Sequence, residues 1–291
     1  MRSIATYPCS IYRADLHLHS TASDGKYTPA HVVSLAYTAG VTLMALTDHE
    51  TLGGIEEASA TAAQKGITFI PGVEINTAAE HEVHVLLYGV TPQMEELANL
   101  LCEISQSRQE RAPKFLAKLS ALGMKMTMND LQIPVGTDCN RPLVARALVR
   151  KGYVRSVQEA FELYLGVGKP AYVKRNHIST EQLIKMAKRD GAVPVLAHPG
   201  LIQDEAFHET DTIQQLKLAG LMGIEAWHPK HSPEQGRYWV EMARRHGLLV
   251  TGGSDFHKED DEHEPIGSQI TNWNTMQEDI KRLLSIMNMN R

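Results

Sequence analysis

The 291-residue sequence holds only three cysteines, Cys9, Cys102 and Cys139. They are odd in number, widely separated and never paired as C-x-x-C, so neither a disulfide framework nor a thiolate zinc site organises this chain. No apolar run approaches the ~18 residues of a membrane span. The first residues also lack the apolar stretch of a signal peptide, and the expected location is the cytoplasm. Positive charge is short: 29 basic against 34 acidic side chains leave a net charge of −5, with no overall attraction for polyanions. Aromatic residues make up 6% of the chain, and no interleaved aromatic and basic platform stands out, which argues against binding long duplex nucleic acid. There is no fixed-period repeat and no low-complexity tract. Any phosphorylated ligand must therefore be captured locally, by bound metal or by a few Arg and Lys.

Histidine, by contrast, is abundant, with 14 copies. Imidazole is the commonest metal ligand and the usual proton carrier near neutral pH, so the chemistry is sought there first.

The length and the 43% hydrophobic share suit one large core, or one core carrying a smaller inserted domain. Short β-type apolar runs at 11–19, 41–47, 67–71, 83–90, 193–197, 222–227 and 248–251 alternate with amphipathic helical stretches. That alternation predicts parallel β/α units, and about seven strands fit a closed barrel better than an open sheet. Chemistry in such folds belongs at the C-terminal ends of strands. Residues 94–173 interrupt the rhythm with helical patterns. They are expected to form a mainly helical insertion over the barrel mouth, leaving 1–93 and 174–291 as a discontinuous barrel domain.

The histidines and acids fall where such a barrel does its chemistry. His17 and His19, two apart in a strand, share one face. Asp24 follows in the next loop, the second strand ends in Asp48-His49, and the third runs into Glu74. His84 lies on the fourth strand, His198 follows the fifth, and Asp255 and His257 follow the last. Any one of these is as readily a hydrogen-bonded core histidine or a capping aspartate. Six strand ends with an imidazole, a carboxylate or both read instead as a multinuclear site. Imidazoles mixed with carboxylates, and no thiolate, suit Mn²⁺, Fe²⁺ or Zn²⁺.

Five segments carry a family resemblance: Asp15-Leu16-His17-Leu18-His19-Ser20, Thr47-Asp48-His49, Gly72-Val73-Glu74, Ala197-His198-Pro199 and Ser254-Asp255-Phe256-His257. In this order they resemble the PHP (polymerase and histidinol phosphatase) domain of the amidohydrolase-like enzymes. The resemblance implies a distorted (β/α)7 barrel with a helical insertion and two or three divalent ions, Mn²⁺ foremost, with Zn²⁺, Fe²⁺ or Mg²⁺ as alternatives. It implies that His17, His19, Glu74 and Asp255 hold one ion. Glu74 then bridges to a second, held by His84 and His198, while Asp24, His49 and His257 hold the third. Asp15 and Asp48 are expected behind the ligands, with Asp48 orienting an imidazole.

Clustered ions lower the pKa of a bridging water and neutralise phosphoryl oxygens. A metal-bridging hydroxide is therefore the expected nucleophile, without a covalent enzyme intermediate. Asp255, His257 and His228 are the expected catalytic residues. His228 and His231, both past a strand end, are candidates to stabilise the leaving oxygen.

The resemblance extends to a PHP subgroup with an insertion between the fourth and fifth strands, whose members include a 3′,5′-nucleotide bisphosphatase and a 5′-3′ exoribonuclease. The matching stretches are Asn140-Arg141-Pro142-Leu143, Ala160-Phe161, Tyr164-Leu165-Gly166 and Lys169-Pro170-Ala171-Tyr172-Val173. It implies that Arg141 grips a substrate phosphate, where the guanidinium fork matches two phosphoryl oxygens. Leu143 stands where the subgroup has histidine, and an apolar side chain cannot donate to phosphate. Lys174, Arg175 and His231 complete the expected substrate contacts. The expected substrate is a small phosphorylated metabolite, a nucleotide bisphosphate or the 5′ end of short RNA; neither duplex nucleic acid nor membrane is an expected partner. A histidinol-phosphatase-like monoesterase, a non-catalytic PHP interaction module and an amide hydrolase are the competing readings.

Overall fold

The computed structural model describes residues 12–77, 83–133, 139–173, 178–203, 210–260, 264–268 and 273–289. The chain falls into two compact units, Met1–Leu97 with Ile178–Arg291, and Ala98–His177.

In the first unit seven strands form one sheet in sequence order: β1 (Ala14–Asp15), β2 (Leu43–Leu46), β3 (Thr68–Thr77), β4 (Val83–Tyr88), β5 (Val193–Leu196), β6 (Gly223–Trp227) and β7 (Leu249–Gly252). Every residue of β2, β5 and β7 is buried, as expected of strands covered on both faces. The segment after β1 reaches back to the segment after β7. Leu16 N–H donates to the Gly252 carbonyl at 3.2 Å, Asp255 N–H to His17 at 3.0 Å and His19 N–H to Phe256 at 3.0 Å. The sheet is thereby a nearly closed seven-stranded barrel.

The helices, in chain order, are α1 (Pro29–Thr38), α2 (Ile55–Lys65), α3 (Glu95–Ala121), α4 (Met128–Leu131), α5 (Arg141–Arg150), α6 (Val157–Ala160), α7 (Thr180–Asp190), α8 (Thr210–Ala219), α9 (Pro233–His246) and α10 (Trp273–Met289). Their ends follow from local chemistry. The Thr28 side chain caps α1 ahead of Pro29. Ser179 with Gln182, and Ser232 with Gln235, form capping boxes on α7 and α9. Both helices stop at glycines, Gly191 and Gly247, in the left-handed conformation. Helices α1 and α2 seal one side of the barrel, with Val32, Val33, Ala36, Ala58 and Ala62 packed against Leu18, Met44, Leu46 and Phe256. Each fully buried Val, Leu, Met or Phe there contributes ~1.5–3 kcal/mol. No helix among the described residues is long and apolar enough to cross a membrane.

Two features depart from the sequence reading. β4 is antiparallel to both β3 and β5, although all other pairings are parallel. Only five positions, 78–82, separate β3 from β4, whereas a parallel crossover takes a dozen or more. β4 therefore begins at the end where β3 finishes. His84 reaches the site from the start of its strand, paired with Asn76. β3 also continues through Thr77, which puts Glu74 inside a strand rather than past its end.

The second unit has its own core, with Phe115, Leu119, Leu131, Val144, Leu148 and Leu165 fully buried. α3 runs through Pro113 without ending, and α6 passes into a π-helical turn, Phe161–Leu165.

Candidate metal centre

His17 and His19 follow β1, His49 follows β2, His198 follows β5, and Asp255 and His257 follow β7. With Glu74, His84 and Asp24 they converge at one end of the barrel. Glu74, 1% exposed, is the hub. Its Oε2 lies 3.0 Å from His17 Nε2, 3.2 Å from His19 Nε2 and 3.4 Å from His49 Nδ1. Its Oε1 lies 2.7 Å from His84 Nδ1 and 3.1 Å from His198 Nε2. One carboxylate thus touches five imidazoles. Asp255 Oδ1 adds contacts at 3.4 Å to His17 and 3.2 Å to His19. Asp24 lies 3.3 Å from His257 Nε2 and 3.8 Å from both His19 and His49.

Three groups of donor atoms lie within 4.8 Å of one another: His17, His19, Glu74 and Asp255; His49, Glu74 and His84; His19, Asp24, His49 and His257. The first is the set implied by the family resemblance. In the second, His49 stands where His198 was expected, while His198 remains in contact with Glu74.

The donor set fits a cation better than a proton network. His19 is fully buried, and neither ring nitrogen makes a hydrogen bond. Its Nε2 is within reach of two carboxylates, but they lie off the line a hydrogen bond needs. Unsatisfied buried polar atoms are costly, and an ion between imidazole and carboxylates meets both without that alignment.

Electrostatics agree. Burial depresses His19, but Asp255 and Glu74 outweigh it and raise its pKa to about 10. His17 is also raised, because Glu225, Glu74 and Asp255 together overcome its burial. Glu74 and Asp255 sit well below the usual carboxylate range despite burial, held there first by His17. Burial pushes His49 down to about 4. Without metal, then, the buried carboxylates retain protons on His17 and His19.

An incoming cation must displace those protons. Metal affinity is expected to rise about tenfold per pH unit for each proton displaced, between pH 6 and 8. Chelator competition at several pH values, with proton release read from buffer-dependent heats, checks this; a pH-independent affinity with no proton release would refute it.

Backbone strain marks the same place. His198 (φ +26°) and Asp255 (φ +52°) adopt conformations that side-chain-bearing residues rarely take, which a surrounding structure holds mostly at functional sites. Beside them, a Cβ at Gly253 would meet the His17 backbone nitrogen at 2.5 Å. Glycine is required for the two loops to approach this closely.

The family model for the PHP domain matches residues 15–165. The chain belongs to the PHP family. It is 36% identical over 250 residues to the 3′,5′-nucleoside bisphosphate phosphatase of Chromobacterium violaceum, covering 84% of this chain and 86% of that protein. It is 32% identical over 244 residues to the 5′-3′ exoribonuclease of Haemophilus influenzae, covering 84% and 89%. Among solved structures, a protein assigned as a metal-dependent phosphoesterase from Bifidobacterium adolescentis matches with a TM-score of 0.72 at 28% identity, covering 94% of this chain and 96% of that one. This PHP chain is a metal-dependent hydrolase of phosphoric ester bonds.

Behind the PHP centre stands a residue the sequence reading missed. Glu225, fully buried on β6, lies 3.0 and 3.2 Å from His17 Nδ1 and accepts the His198 N–H at 2.9 Å. It fixes the ring of His17 and the strained backbone of His198 together. A lone glutamate inside the apolar run Gly223-Ile224-Glu225-Ala226-Trp227 was the available signal, since a strand covered on both faces does not carry a charge without a partner.

Two expectations are corrected, those for Asp48 and His231. Asp48 does not orient an imidazole: its carboxylate accepts from the Ser20 N–H and from the Ser20 and Ser23 hydroxyls, each at 2.7 Å. It fixes the loop that carries Asp24. Asp15 does stand behind these side chains, holding backbone: it accepts from His17 N–H at 3.4 Å, Ser254 N–H at 2.9 Å and Gly267 N–H at 2.7 Å, so it ties down the Asp255 loop. His231 is not a free donor. Its Nδ1 bonds the Ala226 carbonyl at 2.9 Å, its Nε2 accepts the Gly200 N–H at 3.1 Å, and burial lowers its pKa. Neither nitrogen is left for a substrate.

His228 does lie in the centre, with Nε2 3.3 Å from Asp255 Oδ2. Its Nδ1 accepts the Lys230 N–H at 3.1 Å, so its remaining proton is on Nε2, facing Asp255. In the helical unit, Arg141 opens α5 with its guanidinium 5.8 Å from the Phe161 ring and 5.6 Å from that of Tyr172. This is a local aromatic and basic cluster that the linear sequence conceals. Lys174 and Arg175 lie outside the described residues.

Proposed function

We propose that this PHP enzyme hydrolyses a phosphomonoester on a small nucleotide bearing further phosphate, a 3′,5′-nucleoside bisphosphate or the 5′ end of short RNA. The observation that carries the reading is Glu74, one buried carboxylate touching five imidazoles and shared by two of the three donor groups. Divalent ions held there, Mn²⁺ foremost, would supply Lewis acidity toward phosphoryl oxygens and a nucleophile active at neutral pH. Glu74 would join adjacent ions. Asp24, His49 and His257 would hold the outermost, and His84 and His198 the one beside Glu74. His228, with its proton on Nε2, would donate to the leaving oxygen.

Arg141, with the Phe161 and Tyr172 ring centres 5.8 and 5.6 Å from its guanidinium, offers a planar fork suited to a phosphate. Loss of the histidine implied at Leu143 narrows that contact to the arginine alone. The Chromobacterium and Haemophilus relatives support this substrate class, and we place the enzyme in the cytoplasm.

The test is phosphate release with added Mn²⁺ from adenosine 3′,5′-bisphosphate, 5′-phosphorylated RNA oligomers, histidinol phosphate and other phosphorylated metabolites. Turnover is expected on the first two. Activity confined to histidinol phosphate would reassign the substrate, and no turnover of any phosphoester would overturn the reading.

A further inference from the structure

Resting on that reading and deepening it, we infer that Lys26, Lys230 and Lys258 form a subsite for a second phosphate of the substrate, on the barrel itself. A cavity of about 540 Å³ in the barrel unit is lined by Asp24, Lys26, Lys230, Asp255, His257 and Lys258. Its size is that of a small-molecule site, roughly 300–1,000 Å³. Half of the lining residues are lysines, in a molecule whose net charge is −5. Three lysines therefore meet at the point where the proposed metal ligands open to solvent.

The lysines are placed by the loops that place the ligands. Lys26 stands two residues beyond Asp24, and its N–H donates to the His257 carbonyl at 2.8 Å. Lys258 adjoins His257. Lys230 N–H donates to His228 Nδ1. The first and last of these loops are thus tied together, and His228 Nε2 meets Asp255 Oδ2 at 3.3 Å, which sets the backbone positions of the lysines relative to the ligands.

The acids in the cavity do not cancel this charge. Asp24 faces His19, His49 and His257, and Asp255 faces His17, His19 and His228. Among the described residues neither Lys26 nor Lys230 has a carboxylate partner. Lys26 Nζ lies 5.8 Å from the Tyr27 ring centre, while Lys258 pairs with Asp260 at 2.6 Å. An ammonium is a compact point charge with three rotatable donors, suited to phosphate without the planar match a guanidinium requires.

A substrate with one phosphate, taken by the metal centre, would leave Lys26 and Lys230 with no anionic partner among the described residues. A substrate with two would engage them. The subsite therefore selects for a second phosphate, and it does so without the histidine that Leu143 replaces.

The experiment compares the metal-loaded full chain with its Lys26→Ala/Lys230→Ala/Lys258→Ala variant. The ratio of kcat/KM for adenosine 3′,5′-bisphosphate to that for adenosine 5′-monophosphate should fall at least about tenfold, the effect of one lost charge-assisted contact. Lys→Arg at the same three positions should restore most of the ratio, and raised salt should erode it in the parent protein. An unchanged ratio, whether or not both activities fall, would overturn the inference. If the parent protein turned over neither nucleotide, the substrate reading alone would fail. Equilibrium binding of inorganic pyrophosphate against inorganic phosphate, at saturating Mn²⁺, would then decide the subsite: the parent's preference for pyrophosphate should drop at least about tenfold in the triple variant, and an equal preference in both proteins would refute it.

Discussion

Glu74→Gln is expected to lower kcat/KM on the order of 10³-fold or more, with the fold retained. Glutamine keeps the shape of the side chain but carries no charge and cannot bridge two cations. Metal-ion stabilisation of a phosphoryl transition state is worth several kcal/mol, and each 1.36 kcal/mol is a factor of ten in rate. Because Glu74 contacts five imidazoles, its loss should also reduce the number of ions bound per chain. In the metal-free protein the raised pKa values of His17 and His19 should fall, since both are held up partly by Glu74. Metal analysis, steady-state kinetics and NMR titration of the histidines would read the three effects. Full metal content with undiminished turnover would remove Glu74 from the centre of the site.

Glu225→Ala is expected to be the most damaging change outside the ligand set. It removes the partner of the fully buried His17 ring and the acceptor of the His198 N–H at once. Loss of a carboxylate behind a ligating histidine costs about 10–100-fold in metal affinity or activity. Breaking a buried ion pair adds roughly 3–5 kcal/mol of destabilisation. Glu225→Gln separates these effects. It keeps one acceptor and the volume, so it should recover much of the stability while metal affinity stays weakened, because the amide no longer raises the basicity of His17. Thermal melts with and without metal, set beside metal titrations, make the comparison. If alanine and glutamine behaved alike and bound metal like the parent, Glu225 would be a packing residue and no more.

The convergence of these histidines and carboxylates was readable in the sequence because a barrel gathers its strand ends, so histidines far apart in the chain become neighbours once the strand rhythm is seen. The direction of β4 was less legible: the apolar runs 67–71 and 83–90 leave eleven positions between them, close to the dozen a crossover takes, and only the extension of β3 through Thr77 reduces these to five. For Asp48 the resemblance implied only a place behind the ligands, and the partner it turns to depends on the fold. Successive residues in extended chain point to opposite faces, so Asp48 turns to Ser20 and Ser23. His231 was misread for a different reason: a histidine past a strand end looks free until its two backbone partners, Ala226 and Gly200, are known. The approach of Arg141 to the Phe161 and Tyr172 rings depends on the tertiary packing of the helical unit, and no periodicity in the sequence reports it.

The reversed strand also sets where the chain of the barrel unit breaks off and where it resumes. The chain leaves β4 at the end remote from His84 and passes Leu97, whose N–H is bound by the Asp190 carboxylate at the finish of α7. It returns at the start of α7, where the Thr180 and Thr77 hydroxyls meet at 2.7 Å. Exit and return are therefore separated by the length of α7, 11 residues or about 16 Å. Removing Ala98–His177 would not shorten a surface loop; it would leave a gap. A barrel-only protein would need a linker of about five extended residues to bridge that distance, and a tight turn in its place would pull α7 off the sheet.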